Sequence, residues 1–183
     1  LTDGALPGQT SSGFSDSFLR GYDASGTAIW TRQFGTASID QAFGVAVDGP
    51  GNVYVAGLAY GALPGQTSSG FGDAYLRRYD ASGAVIWTRQ FGTPNHDYAL
   101  GVAVDGPGNV YVSGYTDGTL PGQTASGGGD AFALKWSQRS CVATANPETQ
   151  EAGPVSGPIH LVDPLLPAEV HRLNCEVIVP QGL

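Results

Sequence analysis

The segment Ala5–Thr36 returns at Ala62–Thr93, 57 residues later, with only six of its 32 positions changed. A second block, GVAVDGPGNVYV, stands at Gly44–Val55 and again at Gly101–Val112 with the same offset. The pentapeptide LPGQT appears a third time at Leu120–Thr124. Repetition this close means that each unit folds as the same supersecondary element and buries its apolar surface against its neighbours. The chain divides into a partial unit (1–36), a full unit (37–93), a unit that decays near its end (94–137) and a non-repeat tail (138–183).

Each full unit carries four β signals. Val45 and Val47 alternate with Ala46, DGPGN follows as a turn, and Val53–Val55 continue the hairpin. A long link without periodicity comes next. Asp73–Tyr79 then reads as a third strand, Asp80–Gly83 as a turn and Val85–Phe91 as a fourth strand. Helices are excluded, because Gly or Pro interrupts nearly every window of ten residues. Four short antiparallel strands per repeat describe a propeller blade, so the expected fold is all-β: about two and a half blades plus a divergent C-terminal β tail. Face-to-face packing of blades would bury both faces of each sheet, which fits the small apolar run Val45, Ala46, Val47. Trp30 and Trp87 are expected to plug the gaps between blades. Glycines 44, 57, 101 and 114 flank the inner strands, where crowding favours a missing side chain.

The run D-x-A-x-G-V-A-V-D-x-x-G-N-V-Y-V-x-G, followed by D-A-x-L-x-x-Y-D-A-S-G-x-x-x-W-T-R-Q-F-G, resembles the SBBP repeat, named for a presumed seven-bladed β-propeller. It covers residues 40–57, 73–92 and 97–114, and in part 16–35 and 130–136. The resemblance implies blade architecture and an extracellular or cell-surface setting in a bacterial or archaeal exported protein. It implies no reaction, so the chain is expected not to be an enzyme. Two departures stand out. There are too few blades, and after Trp136 the chain abandons the repeat where another W-T-R-Q-F-G strand is due.

Propellers have at least four blades, and four units of 57 residues exceed the 183 in the chain. The array is therefore expected to be completed by more chain or by more chains, as part of a longer propeller, a ring or a filament. The tail offers a donor strand in which Leu173, Cys175, Val177 and Val179 alternate with Asn174, Glu176 and Ile178. It also holds both cysteines, Cys141 and Cys175, a candidate disulfide in an exported protein. The chain contains no Met and opens at Leu1, which reads as a processed terminus or a cut from a longer protein.

Charge excludes some partners. The net charge is −8, and the eight Lys and Arg residues are scattered, with Lys135 the only lysine. Nucleic acid and anionic membrane surfaces need clustered positive charge, so neither is expected as a partner. No apolar stretch reaches the length of a membrane span, so no membrane insertion is expected.

Aspartates recur in register: Asp16, Asp73 and Asp130; Asp23 and Asp80; Asp40 and Asp97; Asp48 and Asp105. They could gather oxygens for calcium, but each adjoins Gly, Ser or a strand start, where Asp caps turns. Turn chemistry is the expected role, and no cofactor is assigned. Arg32 and Arg89 are expected to pair with aspartates of the same or the next blade. The repeated LPGQTSSG loop is a candidate glycan site: Gln66, Thr67 and Ser68 offer hydrogen bonds, and Tyr60 or Phe71 could stack on a sugar. No nucleophile–base pattern or zinc spacing accompanies it.

Overall fold

The computed structural model describes residues 1–137, and every regular element in them is a β-strand: β1 (Ser17–Tyr22), β2 (Ala28–Phe34), β3 (Asp40–Val47), β4 (Val53–Ala59), β5 (Asp73–Tyr79), β6 (Val85–Phe91), β7 (Asp97–Val104), β8 (Val110–Thr116) and β9 (Asp130–Trp136). They form three antiparallel sheets in chain order: β1–β2, then β3–β4–β5–β6, then β7–β8–β9. The middle sheet is a complete four-stranded blade. The first consists of the two strands that match β5 and β6, and the third of those that match β3, β4 and β5. Cys141, Cys175 and the donor strand Leu173–Val179 lie outside the described residues.

The turns follow from local chemistry. In DASG, the Asp80 Oδ1 accepts the amides of Ser82 and Ala84 and the Ser82 hydroxyl. Gly83 closes the turn at φ +77°, a conformation that suits glycine. In DGPGN, the Asp48 carboxylate accepts the Asn52 amide and side chain and the Tyr54 hydroxyl.

Strand alternation sorts the middle blade into two cores. Tyr54, Ala56, Ala74 and Leu76 pack with Ala99, Val110 and Val112 of the third sheet. Val55, Ala59, Tyr75 and Tyr79 point the other way and pack with Phe34 of the first. Phe34 meets the Tyr75 ring edge-on at 5.6 Å, and the Arg77 guanidinium lies over Phe34 at 4.4 Å. Sheets buried on both faces explain the lack of polar residues along β4.

Three expectations need correction. The inner hairpin is longer than Val45–Val55 suggests, because β3 begins at Asp40 and β4 runs to Ala59. A bulge between Ala42 and Gly44 resets the alternation and hides the strand's start. Second, Val45 and Val47 are not buried: each is 59% exposed. They share a face with Val55 and Val53, and the first sheet has no inner strands to cover that end of it. Their counterparts Val102 and Val104 are half-buried against the middle blade. Third, Arg32 makes its hydrogen bonds to carbonyls and forms no close ion pair among the described residues, although its charge helps to lower the Asp80 carboxyl of the next blade. Its Nε donates to the Gly83 carbonyl at 2.6 Å, and one terminal nitrogen donates to Ser82 O at 3.4 Å, across the junction in the next blade's turn. Trp30 lies on that same turn, donating to Ala81 O at 3.3 Å. Arg89 donates to its neighbour's carbonyl on Thr88. The ion pair among the described residues joins Arg78 to Asp48 at 3.9 Å.

Candidate functional site

The recurring aspartates fall into two classes that look alike in sequence. Asp23, Asp48, Asp80 and Asp105 hold turns, and hydrogen bonds from Ser82 and Ala84 keep the Asp80 carboxyl below its ordinary range. Asp16, Asp40, Asp73 and Asp97 are instead completely buried at the blade junctions. Asp40 accepts the Thr36 amide (2.5 Å) and hydroxyl (3.0 Å), and Asp97 does the same with Thr93 (2.6 and 3.1 Å). A carboxylate from each side flanks one glycine. A Cβ on Gly92 would lie 2.5 Å from Asp97 Oδ2 and 2.7 Å from Asp73 Oδ1, and Asp16 and Asp40 crowd Gly35 in the same way. Each junction thus brings two carboxylates together, and no three His, Cys, Asp or Glu side chains converge among the described residues.

Burial, reinforced by the nearby Asp16 charge, raises the Asp40 carboxyl above its ordinary 3.8. The folded protein then holds this proton more tightly than the unfolded chain does. The contribution of Asp40 to stability therefore falls as pH rises from 3.8 through the raised value and is level above it, opposite in sign to that of the lowered carboxyls of Asp23, Asp48, Asp80, Asp105 and Asp130. Asp40→Asn removes that loss, because an amide presents its carbonyl to Thr36 and its NH2 towards Asp16. The expected result is a melting temperature at pH 7 equal to or above that of the parent, and a stability difference from the parent that grows from pH 4 to 7. Asp40→Ala orphans the Thr36 amide and should cost about 1–3 kcal/mol. A stability difference between Asp40→Asn and the parent that does not grow from pH 4 to 7 would contradict the assignment.

The LPGQT loop is clamped to the fourth strand of its own blade. Gln90 does most of this. Its Oε1 accepts the Leu63 amide (2.9 Å), and its Nε2 donates to Gly61 O and Asp73 Oδ2 (both 2.8 Å). Its backbone amide donates to Gln66 Oε1 at 3.1 Å. Gln33 and Gln9 repeat the arrangement in the first sheet. Of the candidate ligand residues, Gln66 is thus occupied by the clamp, and the Ser68 hydroxyl donates to Gly70 O at 3.2 Å. Thr67 is exposed. Tyr60 and Phe71 come together on either side of His96, with ring centroids 5.6 and 5.9 Å from it. Tyr98 continues the group, stacked on Tyr115 at 4.4 Å, and Phe71 is 72% exposed. His96, Tyr98 and Tyr115 escaped the sequence reading because they are not repeated: their counterparts are Ile39, Gln41 and Leu58.

The two outer faces of the array show what the buried positions become without a neighbour. Tyr75 and Tyr79 are fully buried, whereas Phe18 and Tyr22, at the same places in the first sheet, are 39% and 57% exposed. On the opposite side, Tyr54 and Leu76 are fully buried, but their counterparts Tyr111 and Ala133 are exposed.

The sequence model of a β-propeller repeat family, SBBP, matches residues 29–63 and 86–121. Both matches run from a fourth strand across the junction and through the next inner hairpin. This is an SBBP repeat protein. The SBBP chain is similar to part of the regulatory protein FlaEY of Caulobacter vibrioides, with 35% identity over 138 residues. That similarity takes in 69% of this chain but only 14% of FlaEY, so the chain spans a small part of that relative's length.

Proposed function

We propose that the SBBP array is a structural and interaction module outside the cell, whose blades associate with further blades of the same kind. The supporting observation is the exposure of Phe18, Tyr22, Tyr111 and Ala133 at positions that are buried wherever a neighbouring blade exists. Exposed apolar surface of this type marks an association site. The further blades come from other copies in a ring or filament, or from a longer chain. In the first case the native mass exceeds 18.8 kDa, and Phe18→Asp with Tyr22→Glu lowers it while leaving the melting temperature of the dilute monomer near that of the parent. A monodisperse monomer at high concentration removes self-association.

A second reading, glycan binding, draws on the aromatic group Tyr60, Phe71, His96 and Tyr98. Its exposed Phe71 ring offers a stacking surface, and Thr67 of the same loop is exposed. Glycan-array signals lost in Phe71→Ala would support it, and a blank array would remove it.

A further inference from the structure

The third blade carries the contacts of a fourth strand along an edge where, among the described residues, no strand is paired. The middle blade shows what those contacts hold. There β6 pairs with β5 so that Gln90 stands opposite Tyr75 and Phe91 opposite Ala74. Gln90 satisfies the Leu63 amide, the Gly61 carbonyl, the Asp73 carboxylate and the Gln66 amide oxygen, each of which has a counterpart 57 residues on. The counterparts are Leu120, Gly118, Asp130 and Gln123.

They are in place but differently engaged. The LPGQT turn is formed, with the Gln123 amide donating to Leu120 O at 3.0 Å. The Asp130 carboxylate accepts the Ser126 amide (3.0 Å), as Asp73 accepts that of Ser69 (2.9 Å), but in place of a glutamine Nε2 it takes the Ser126 hydroxyl (2.5 Å). Gln123 is exposed where Gln66 is half-buried, and Leu120 is half-buried where Leu63 is covered. Between this loop and β9 runs a groove of about 620 Å³ lined by Phe91, Leu120, Gln123, Asp130, Phe132 and Trp136. It combines a free strand edge, an apolar wall and polar groups spaced for one glutamine, which is the arrangement of a strand-addition site.

We propose that this groove is an acceptor for an extended segment reading W-T-R-Q-F-G, the fourth strand of this same repeat, supplied by another chain. The inference rests on the association reading above and specifies its chemistry on the third blade. The incoming strand runs antiparallel to β9 with its Gln opposite Phe132 and its Phe opposite Ala131. The Gln takes the Leu120 amide and the Gly118 carbonyl and donates to Asp130 in place of the Ser126 hydroxyl, leaving the Ser126 amide on the carboxylate as Ser69 is left on Asp73. The selectivity is for that Gln: a hydrophobic strand without it leaves the loop's polar groups unmatched.

The test is calorimetric titration of the full chain with a synthetic peptide of sequence Ala84–Thr93. Saturable binding at one site per chain is expected, about tenfold weaker for the peptide carrying Gln90→Ala. Gln123→Ala in the protein should weaken the parent peptide to a similar degree while the melting temperature stays near that of the parent. Absence of saturable binding, or equal affinity for the two peptides, overturns the proposal. If the full chain assembles yet ignores both peptides, the blade-face reading stands and the acceptor groove is lost. If the peptide binds a monomer, the reverse holds.

Discussion

Gly57→Ala is expected to destabilise the array by about 3 kcal/mol or more, a large share of the stability of a domain this size. The reason is the approach of two backbones. The bulge between Ala42 and Gly44 in β3 sets the Gln41 carbonyl directly over Gly57 of β4. A Cβ at residue 57 collides with that oxygen and lies 2.6 Å from the Tyr75 hydroxyl and 2.7 Å from its ring. Neither neighbour can yield cheaply. Gln41 is tied into the β3–β4 ladder, and Tyr75 is walled in by the first sheet. Gly114 repeats the situation against the Tyr98 carbonyl and the Phe132 ring. Gly106 is the control, because a Cβ there meets nothing within 4 Å and its φ is not positive, so Gly106→Ala should stay within about 0.5 kcal/mol. Urea unfolding of the three proteins measures the difference. A Gly57→Ala midpoint indistinguishable from that of Gly106→Ala would refute the packing argument.

The repeat made the strand count legible, and the clean alternation between well-marked turns fixed β5 and β6. The inner hairpin was less legible because a bulge breaks the period of two, so Asp40–Ala42 carry no alternating signal. The turn role was legible for Asp23, Asp48, Asp80 and Asp105, but not the burial of Asp16, Asp40, Asp73 and Asp97. Asp73 and Asp80 are both followed by alanine, yet one is buried between blades and the other lies on an exposed turn. The partners that separate them are distant in sequence: Gln90 for Asp73, and the Gly92 gap that Asp73 shares with Asp97. A hint was present, since Gln33 and Gln90 repeat in register with the LPGQT glutamines they clamp. The aromatic group around His96 was hidden for the opposite reason. It is built from substitutions in one unit, which a search for repetition passes over.

Burial itself belongs to the array rather than to the residue, and Tyr75→Ala against Phe18→Ala measures this. Tyr75 is sealed between the first sheet and its own blade. Its ring meets Phe34, its hydroxyl hydrogen-bonds the Ser17 hydroxyl at 2.9 Å, and burial pushes its ionisation above the ordinary tyrosine range. Truncation leaves a ring-sized cavity and an unpaired Ser17 hydroxyl, with an expected cost of about 3–5 kcal/mol. Phe18 occupies the same register position one unit earlier, and nothing among the described residues covers its outer face, so its truncation should cost less than about 1 kcal/mol. The two substitutions remove rings of nearly equal size from equivalent strands, so propensity and local geometry cancel between them. What remains is the contribution of the neighbouring blade. Equal costs in a dilute monomer would mean that the β1 face is covered after all. Unequal costs that converge as protein concentration rises would show the face being covered by association, because Phe18 would then become as buried as Tyr75.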